Sequence, residues 1–108
     1  MKILGIYGSP RKGGNTDILL DQALQGAAEA GAKVSTIRCC DLNMSGCREC
    51  GGCNQAGKCA QDDDMRWVYP MLQESDVIIL ASPIFFYSIT SQAKALIDRC
   101  QAAWCKRM

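Results

Sequence analysis

A doubly wound α/β sheet that stops after three parallel strands is the architecture this 108-residue chain predicts. Three observations lead there. The runs Ile3 to Tyr7 and Val77 to Ala81 are apolar without alternation, as in strands covered on both faces of a parallel sheet. Helical stripes lie between and after the strands. A glycine-rich turn follows the first strand, and open α/β sheets bind ligands at the carboxyl ends of their strands.

Lys2 to Tyr7 reads as the first strand. The turn Gly8-Ser9-Pro10-Arg11-Lys12-Gly13-Gly14-Asn15-Thr16 leads into a helix from about Thr16 to Ala30. Leu20, Ala23, Leu24, Ala27 and Ala28 form its core stripe, with Asn15 or Thr16 as N-cap and Gly31 as terminator. Lys33 to Arg38 is a short second strand, completing a right-handed βαβ unit. Residues 39 to 61 carry no periodicity. Asp62-Asp63-Asp64 supplies a cap and favourable charge for a helix over roughly 65 to 74, which Pro70 should kink or shorten. Val77 to Ala81 is the third strand, and the loop Ser82 to Thr90 leads to a last helix. Its stripe Ala93, Leu96, Ile97, Cys100 and Trp104 follows i, i+3, i+4, i+7, i+11. A 2-1-3-4-5 strand order places the third strand beside the first and leaves its outer edge for a fourth, which this chain does not supply. An uncovered edge predicts truncation or an oligomer that covers it, and truncation is the reading preferred.

The turn after the first strand is a ready-made anion site, because free N–H groups and the helix dipole both favour negative charge. Arg11 and Lys12 add positive charge; Ser9, Asn15 and Thr16 add short donors. Gly8 and Gly13 have the spacing of a nucleotide-triphosphate loop. Gly14-Asn15, however, stand where its Lys and Ser/Thr belong, and the G-x-G-x-x-G of a dinucleotide fold is absent. A monoester phosphate such as that of FMN suits what remains. The bland alternative is a surface turn with two solvated basic residues.

Net charge +1 gives no field for nucleic acid. No run approaches the roughly 20 apolar residues of a membrane helix, and the first apolar run is too short for a signal peptide. The chain therefore reads as soluble and cytoplasmic. Eight cysteines without a histidine exclude His-based zinc sites, Ser-His-Asp triads and Cys-His pairs. In a reducing compartment the thiols read as metal, cluster or redox groups.

Cys47-x2-Cys50-x2-Cys53-x5-Cys59 places four thiols within a glycine-spaced stretch. Two successive C-x2-C steps are how bacterial ferredoxins begin 4Fe–4S ligation. Redox-active free thiols and a four-cysteine zinc site, which more often pairs two separated knuckles, remain alternatives. Cys39 and Cys40 read as one buried and one exposed thiol, Cys100 as a packed core thiol, and Cys105 as uninformative. In Ala81-Ser82-Pro83-Ile84-Phe85-Phe86-Tyr87-Ser88, three consecutive aromatics sit in a loop that has little core to fill. Beside a phosphate site they suit a flat ring system, with Ser82 and Ser88 bonding its polar rim. One of Phe85 and Phe86 is expected to pack back on the sheet or into a partner subunit.

Gly8-Ser9-Pro10-Arg11-x3-Asn15-Thr16, the Cys47/50/53/59 cluster, Asp63-Asp64-Met65, Ala81-Ser82-Pro83-Ile84-Phe85-Phe86 and Lys94-x3-Asp98-Arg99 occur together in this order. The combination resembles the NADPH-dependent FMN reductase family, and within it the iron–sulfur flavoproteins. The resemblance covers nearly the whole chain. It implies a flavodoxin-like three-layer sandwich binding FMN, incomplete here because family members continue through two more strands. It implies Ser9, Arg11, Asn15 and Thr16 at the phosphate and Pro83, Ile84, Phe85 and Phe86 at the flavin; Gly14 of the same turn and Ser88 of the same loop are candidate cofactor contacts by position. In the cluster-bearing branch Cys47, Cys50, Cys53 and Cys59 would ligate 4Fe–4S, usually within a homo-oligomer. Relatives with similar cysteines and no cluster also exist. The implied activity is oxidoreductase and electron transfer with small-molecule or protein partners. NAD(P)H or a reduced ferredoxin would be the donor, and no side chain would serve as acid or base because the flavin carries the chemistry. The alternatives are a cluster-free NAD(P)H:FMN or quinone reductase, and a structural zinc or partner-binding module without flavin.

Overall fold

The computed structural model describes residues 1–106, with side chains through Trp104; that of Cys105 lies outside the described set. β1 (Lys2–Tyr7) is central, with β2 (Lys33–Arg38) and β3 (Val77–Ala81) parallel on either side, in the order β2-β1-β3. This is the predicted arrangement. Alternation along β1 sends its side chains to opposite faces. Leu4 and Ile6 pack with Ile37, with Met65 and Val68 of α3 (Met65–Glu74), and with Ala93 and Leu96 of α4 (Ser91–Arg99). On the other face Ile3 meets Leu20 and Leu24 of α1 (Asn15–Glu29). Helices therefore cover both faces of the sheet.

Local chemistry accounts for where the elements end. α1 closes in a Schellman motif: Gly31 N–H donates to Ala28 O and Ala32 N–H to Ala27 O, both at 3.0 Å. That geometry places Gly31 at φ +95°, where a side chain is disfavoured. The start of α1 differs from expectation. Its N-cap is Gly14, and Asn15 is already helical, because the extended backbone needed at a cap falls at the glycine. α3 spans the predicted residues and runs through Pro70. Pro70 is exposed, so water can serve the carbonyl its ring deprives of a donor.

Other expectations are corrected. The stretch 39 to 61 contains a 3-10 turn (Cys39–Asp41) and a short α2 (Gly52–Ala56), the latter bounded by left-handed Gly51 and Gly57. The last helix is two: α4 ends at Arg99, Cys100 caps it, and α5 (Gln101–Lys106) follows. That break takes Trp104 out of the stripe and leaves it 79% exposed, and Ile97 is exposed as well. Cys100 still packs against the core, donating its S–H to Leu96 O at 3.4 Å. Cys39 is buried and Cys40 half-buried. Val77, Ile78 and Leu80 of β3 are exposed rather than covered, because β3 is an edge strand with no fourth strand beside it among the described residues; Ile79 and Ala81 still pack against the α1 side of the sheet.

The loops after β1 and β3 are joined at one point. Gly8 N–H donates to Ala81 O at 2.7 Å. A Cβ on Gly8 would stand 2.8 Å from that carbonyl, so the strands can approach here only at a glycine. Thr90, fully buried, donates its hydroxyl to Gly8 O (2.6 Å) and accepts from Ala93 N–H (3.1 Å), capping α4. Thr90→Val keeps the shape and leaves a carbonyl and an N–H unpaired. It is expected to lower unfolding free energy by about 2 kcal/mol, read as a lower urea midpoint at unchanged m-value.

Candidate functional site

The loop from Gly8 to Gly14 is shaped from within. The Ser9 hydroxyl is buried and spans both the N–H and the carbonyl of Arg11, each at 3.1 Å, so this side chain folds the turn. The Arg11 side chain lies along Gly14, where a Cβ would meet its Cδ at 3.6 Å. With glycine as N-cap, no side chain caps α1, which leaves its first-turn N–H groups and the positive end of its dipole facing the loop. Asn15 is exposed and Thr16 half-buried at that end.

Beneath the loop lies a buried ion pair that sequence reasoning missed. Asp17 accepts Gly13 N–H at 2.8 Å and both nitrogens of the Arg38 fork, at 3.2 and 2.6 Å. Arg38 Nη1 also donates to Ser9 O at 2.9 Å, and its guanidinium lies 4.6 Å from the centre of the Tyr7 ring. One pair thus holds both ends of the loop, at Ser9 and at Gly13. The Arg38 hydrogen bonds, reinforced by the Gly13 N–H, hold the Asp17 carboxyl below its ordinary value against the opposing effect of burial. The available signal was an acid in the first helical turn and a base at the end of the next strand, both facing the carboxyl end of β1. Tyr7 donates to Asp21; burial and that bond push its hydroxyl up to about 12.

After β3, Ser82 Oγ accepts Thr90 N–H at 3.1 Å. Phe85 and Ser88 exchange backbone bonds at 2.8 and 3.0 Å around a two-residue turn. Its central residues, Phe86 (φ 41°) and Tyr87 (φ 66°), are both left-handed. Asn-Gly normally fills such a turn, and two aromatics there store strain of the order of 1–3 kcal/mol per residue. Their rings, with centroids 5.3 Å apart, stand 93% exposed. Neither Phe85 nor Phe86 joins the core as expected, although Phe85 is about half covered. Pro83 is half-buried, and Ile84 and Ser88 are exposed.

The four cysteines line one cavity of about 840 Å³, together with Arg99 and Gln101. Cys47 accepts Glu49 N–H at 3.4 Å, and Cys59 accepts Arg99 Nη2 at 3.5 Å. N–H donors to sulfur suit thiolate ligands of an anionic centre. Among the described residues, no three Cys, Asp or Glu side chains are gathered closely enough to hold one metal ion. An all-sulfur set around a roomy cavity suits an inorganic sulfide cluster better than a single hard cation.

Asp17→Asn leaves the Arg38 charge buried and uncompensated, and is expected to cost about 3 kcal/mol. The folded pKa of Asp17 is depressed, so its contribution is complete above the unfolded value near 3.8 and is lost as pH falls through the folded value. Denaturant unfolding between pH 7 and 2 is expected to show a smaller acid-side loss in Asp17→Asn than in the parent.

The family model for NADPH-dependent FMN reductase matches residues 1–108. The chain is 41% identical over 99 residues to an iron-sulfur flavoprotein of Archaeoglobus fulgidus, covering 92% of this chain and 45% of that protein. It is 40% identical over 99 residues to an iron-sulfur flavoprotein of Methanocaldococcus jannaschii, covering 92% and 51%. The chain spans about half the length of the curated relatives it matches. Among solved structures, a flavone reductase superposes with TM-score 0.70 at 31% identity, over 93% of this chain and 30% of that one. A crystal structure of RosB with bound 8-demethyl-8-formylriboflavin-5′-phosphate shares the fold at TM-score 0.74 and 19% identity, over 94% and 42%. The flavodoxin-like sheet and the whole-chain family match agree: this chain belongs to the NADPH-dependent FMN reductase family.

Proposed function

We propose that this chain binds FMN and carries the cysteine centre of an electron-transfer flavoprotein of the iron–sulfur type. One observation carries the reading: both candidate centres are anchored to α4. Thr90 at its start holds the loops after β1 and β3, and Arg99 at its end holds the cysteine segment. Nine steps of 1.5 Å separate the two anchors by about 14 Å along one rigid element.

In this reading the first-turn N–H groups of α1, with Gly14, Asn15, Thr16 and the guanidinium of Arg11, bind the monoester phosphate. Ser9 shapes that loop. Pro83, Ile84, Phe85, Phe86 and Ser88 border the ring, and the strained Phe86-Tyr87 turn presents its aromatic faces outward. Cys47, Cys50, Cys53 and Cys59 are the ligands for 4Fe–4S. When bound, the flavin supplies the redox chemistry, and this chain's side chains position and tune it. NAD(P)H as electron donor, a small-molecule or protein acceptor, assembly as a homo-oligomer and a cytoplasmic location belong to the same proposal. The family match supports the donor, the exposed β3 edge the assembly, and the cysteine content the location. A second reading, a flavoprotein whose cysteines stay free thiols, draws on their spread around the cavity; iron and sulfide analysis separates the two.

The double variant Phe86→Asn/Tyr87→Gly tests the ring contacts apart from folding. It installs the residues this turn prefers, so thermal stability is expected to hold or rise. Loss of aromatic contact is expected to weaken FMN about tenfold by fluorescence titration. Unchanged affinity would remove the turn from the site.

A further inference from the structure

Arg99 is a buried arginine that holds several parts of the chain at once. It is 1% exposed, and it donates to five acceptor atoms on one segment of chain. Nη1 reaches Ser45 O (2.8 Å) and Asp63 Oδ2 (2.6 Å). Nη2 reaches Asp63 Oδ1 (3.0 Å), Gln61 O (3.4 Å) and Cys59 Sγ (3.5 Å). Ser45 precedes the first of the four cysteines, and Gln61 and Asp63 follow the last. One guanidinium therefore draws together the two ends of the cysteine segment. Asp63 also accepts Met65 N–H at 3.1 Å, which ties that segment to the start of α3. The Nε–H is buried with no partner among the described residues, an omission expensive enough in a folded protein to need a reason. If folding were the only role, a buried pair would be a poor means to it, since apolar residues of similar volume often do as well or better.

We propose that Arg99 is the positioning residue of the four-cysteine centre. Its fork closes the segment so that Cys47, Cys50, Cys53 and Cys59 face one cavity. Its charge and its N–H···S bond to Cys59 stabilise added electron density on a sulfur-ligated group held there. This rests on the cluster reading given above. Hydrogen bonds to sulfur and nearby charge are what set the potential of such groups, and partners behind the ligands commonly govern affinity as well.

The test uses two variants, anaerobic reconstitution with ferrous iron and sulfide, and two readouts: iron bound per chain and the midpoint potential of the loaded centre. Arg99→Lys keeps the charge and a bond to Asp63 but cannot span Ser45, Gln61 and Cys59 at once. The double variant Arg99→Gln/Asp63→Asn exchanges the ion pair for neutral amides and leaves no unpaired buried charge. Both are expected to lose iron affinity by roughly ten- to a hundredfold. Whatever centre they load is expected to reduce at a lower potential, and further so in the neutral pair. Folded variants that load iron at parental affinity and potential overturn the role of Arg99. Failure of both variants to fold before iron is added assigns Arg99 to folding alone and also overturns it. Failure of the parent protein to take up iron is a separate result; it removes the cluster reading itself, and this inference with it.

Discussion

The buried Thr90 hydroxyl is the contact on which the candidate flavin face depends. It joins the carbonyl at the root of the glycine-rich loop to the first turn of α4, while the Thr90 backbone N–H is held by Ser82 from the loop after β3. One residue thus ties the end of β1, 82 positions away in sequence, to the loop after β3 and the start of α4. The glycine at position 8 is what lets them meet, since a side chain there would strike Ala81 O. The carboxyl ends of adjacent parallel strands thus become a single surface.

α4 extends that logic to the cysteine segment. A short helix with a buried threonine cap at one end and a buried arginine at the other keeps two chemically different regions in fixed relation. Two ion pairs, Asp17 with Arg38 and Asp63 with Arg99, play parallel parts, each bracing a candidate site loop from below. Both carboxyls are held below the ordinary range chiefly by hydrogen bonds from their arginines. Loop shape in both regions is therefore tied to the ionised state of a carboxylate.

Much of this was legible in the sequence because it depends on local pattern. The apolar strands, the glycine turn after the first of them and the Gly31 stop are each decided within a few residues, and the structure has them where the pattern puts them. What was not legible depends on distant partners. Nothing near Asp17 says that Arg38 will reach it, and nothing near Arg99 says that it will gather Ser45, Gln61 and Asp63. The apolar period alone gave no warning that the last helix breaks at Cys100, which takes Trp104 out of the stripe, or that Ile97 lies at the stripe's exposed margin. The Phe86-Tyr87 turn was hidden because its residues are the ones such a turn disfavours.

The decisive measurement is a visible absorption spectrum of the anaerobically purified protein, taken before and after dithionite. A flavin spectrum superposed on a broad iron–sulfur shoulder is expected, with both bleached by the reductant. A colourless protein that also fails to take up added FMN would contradict the flavoprotein reading.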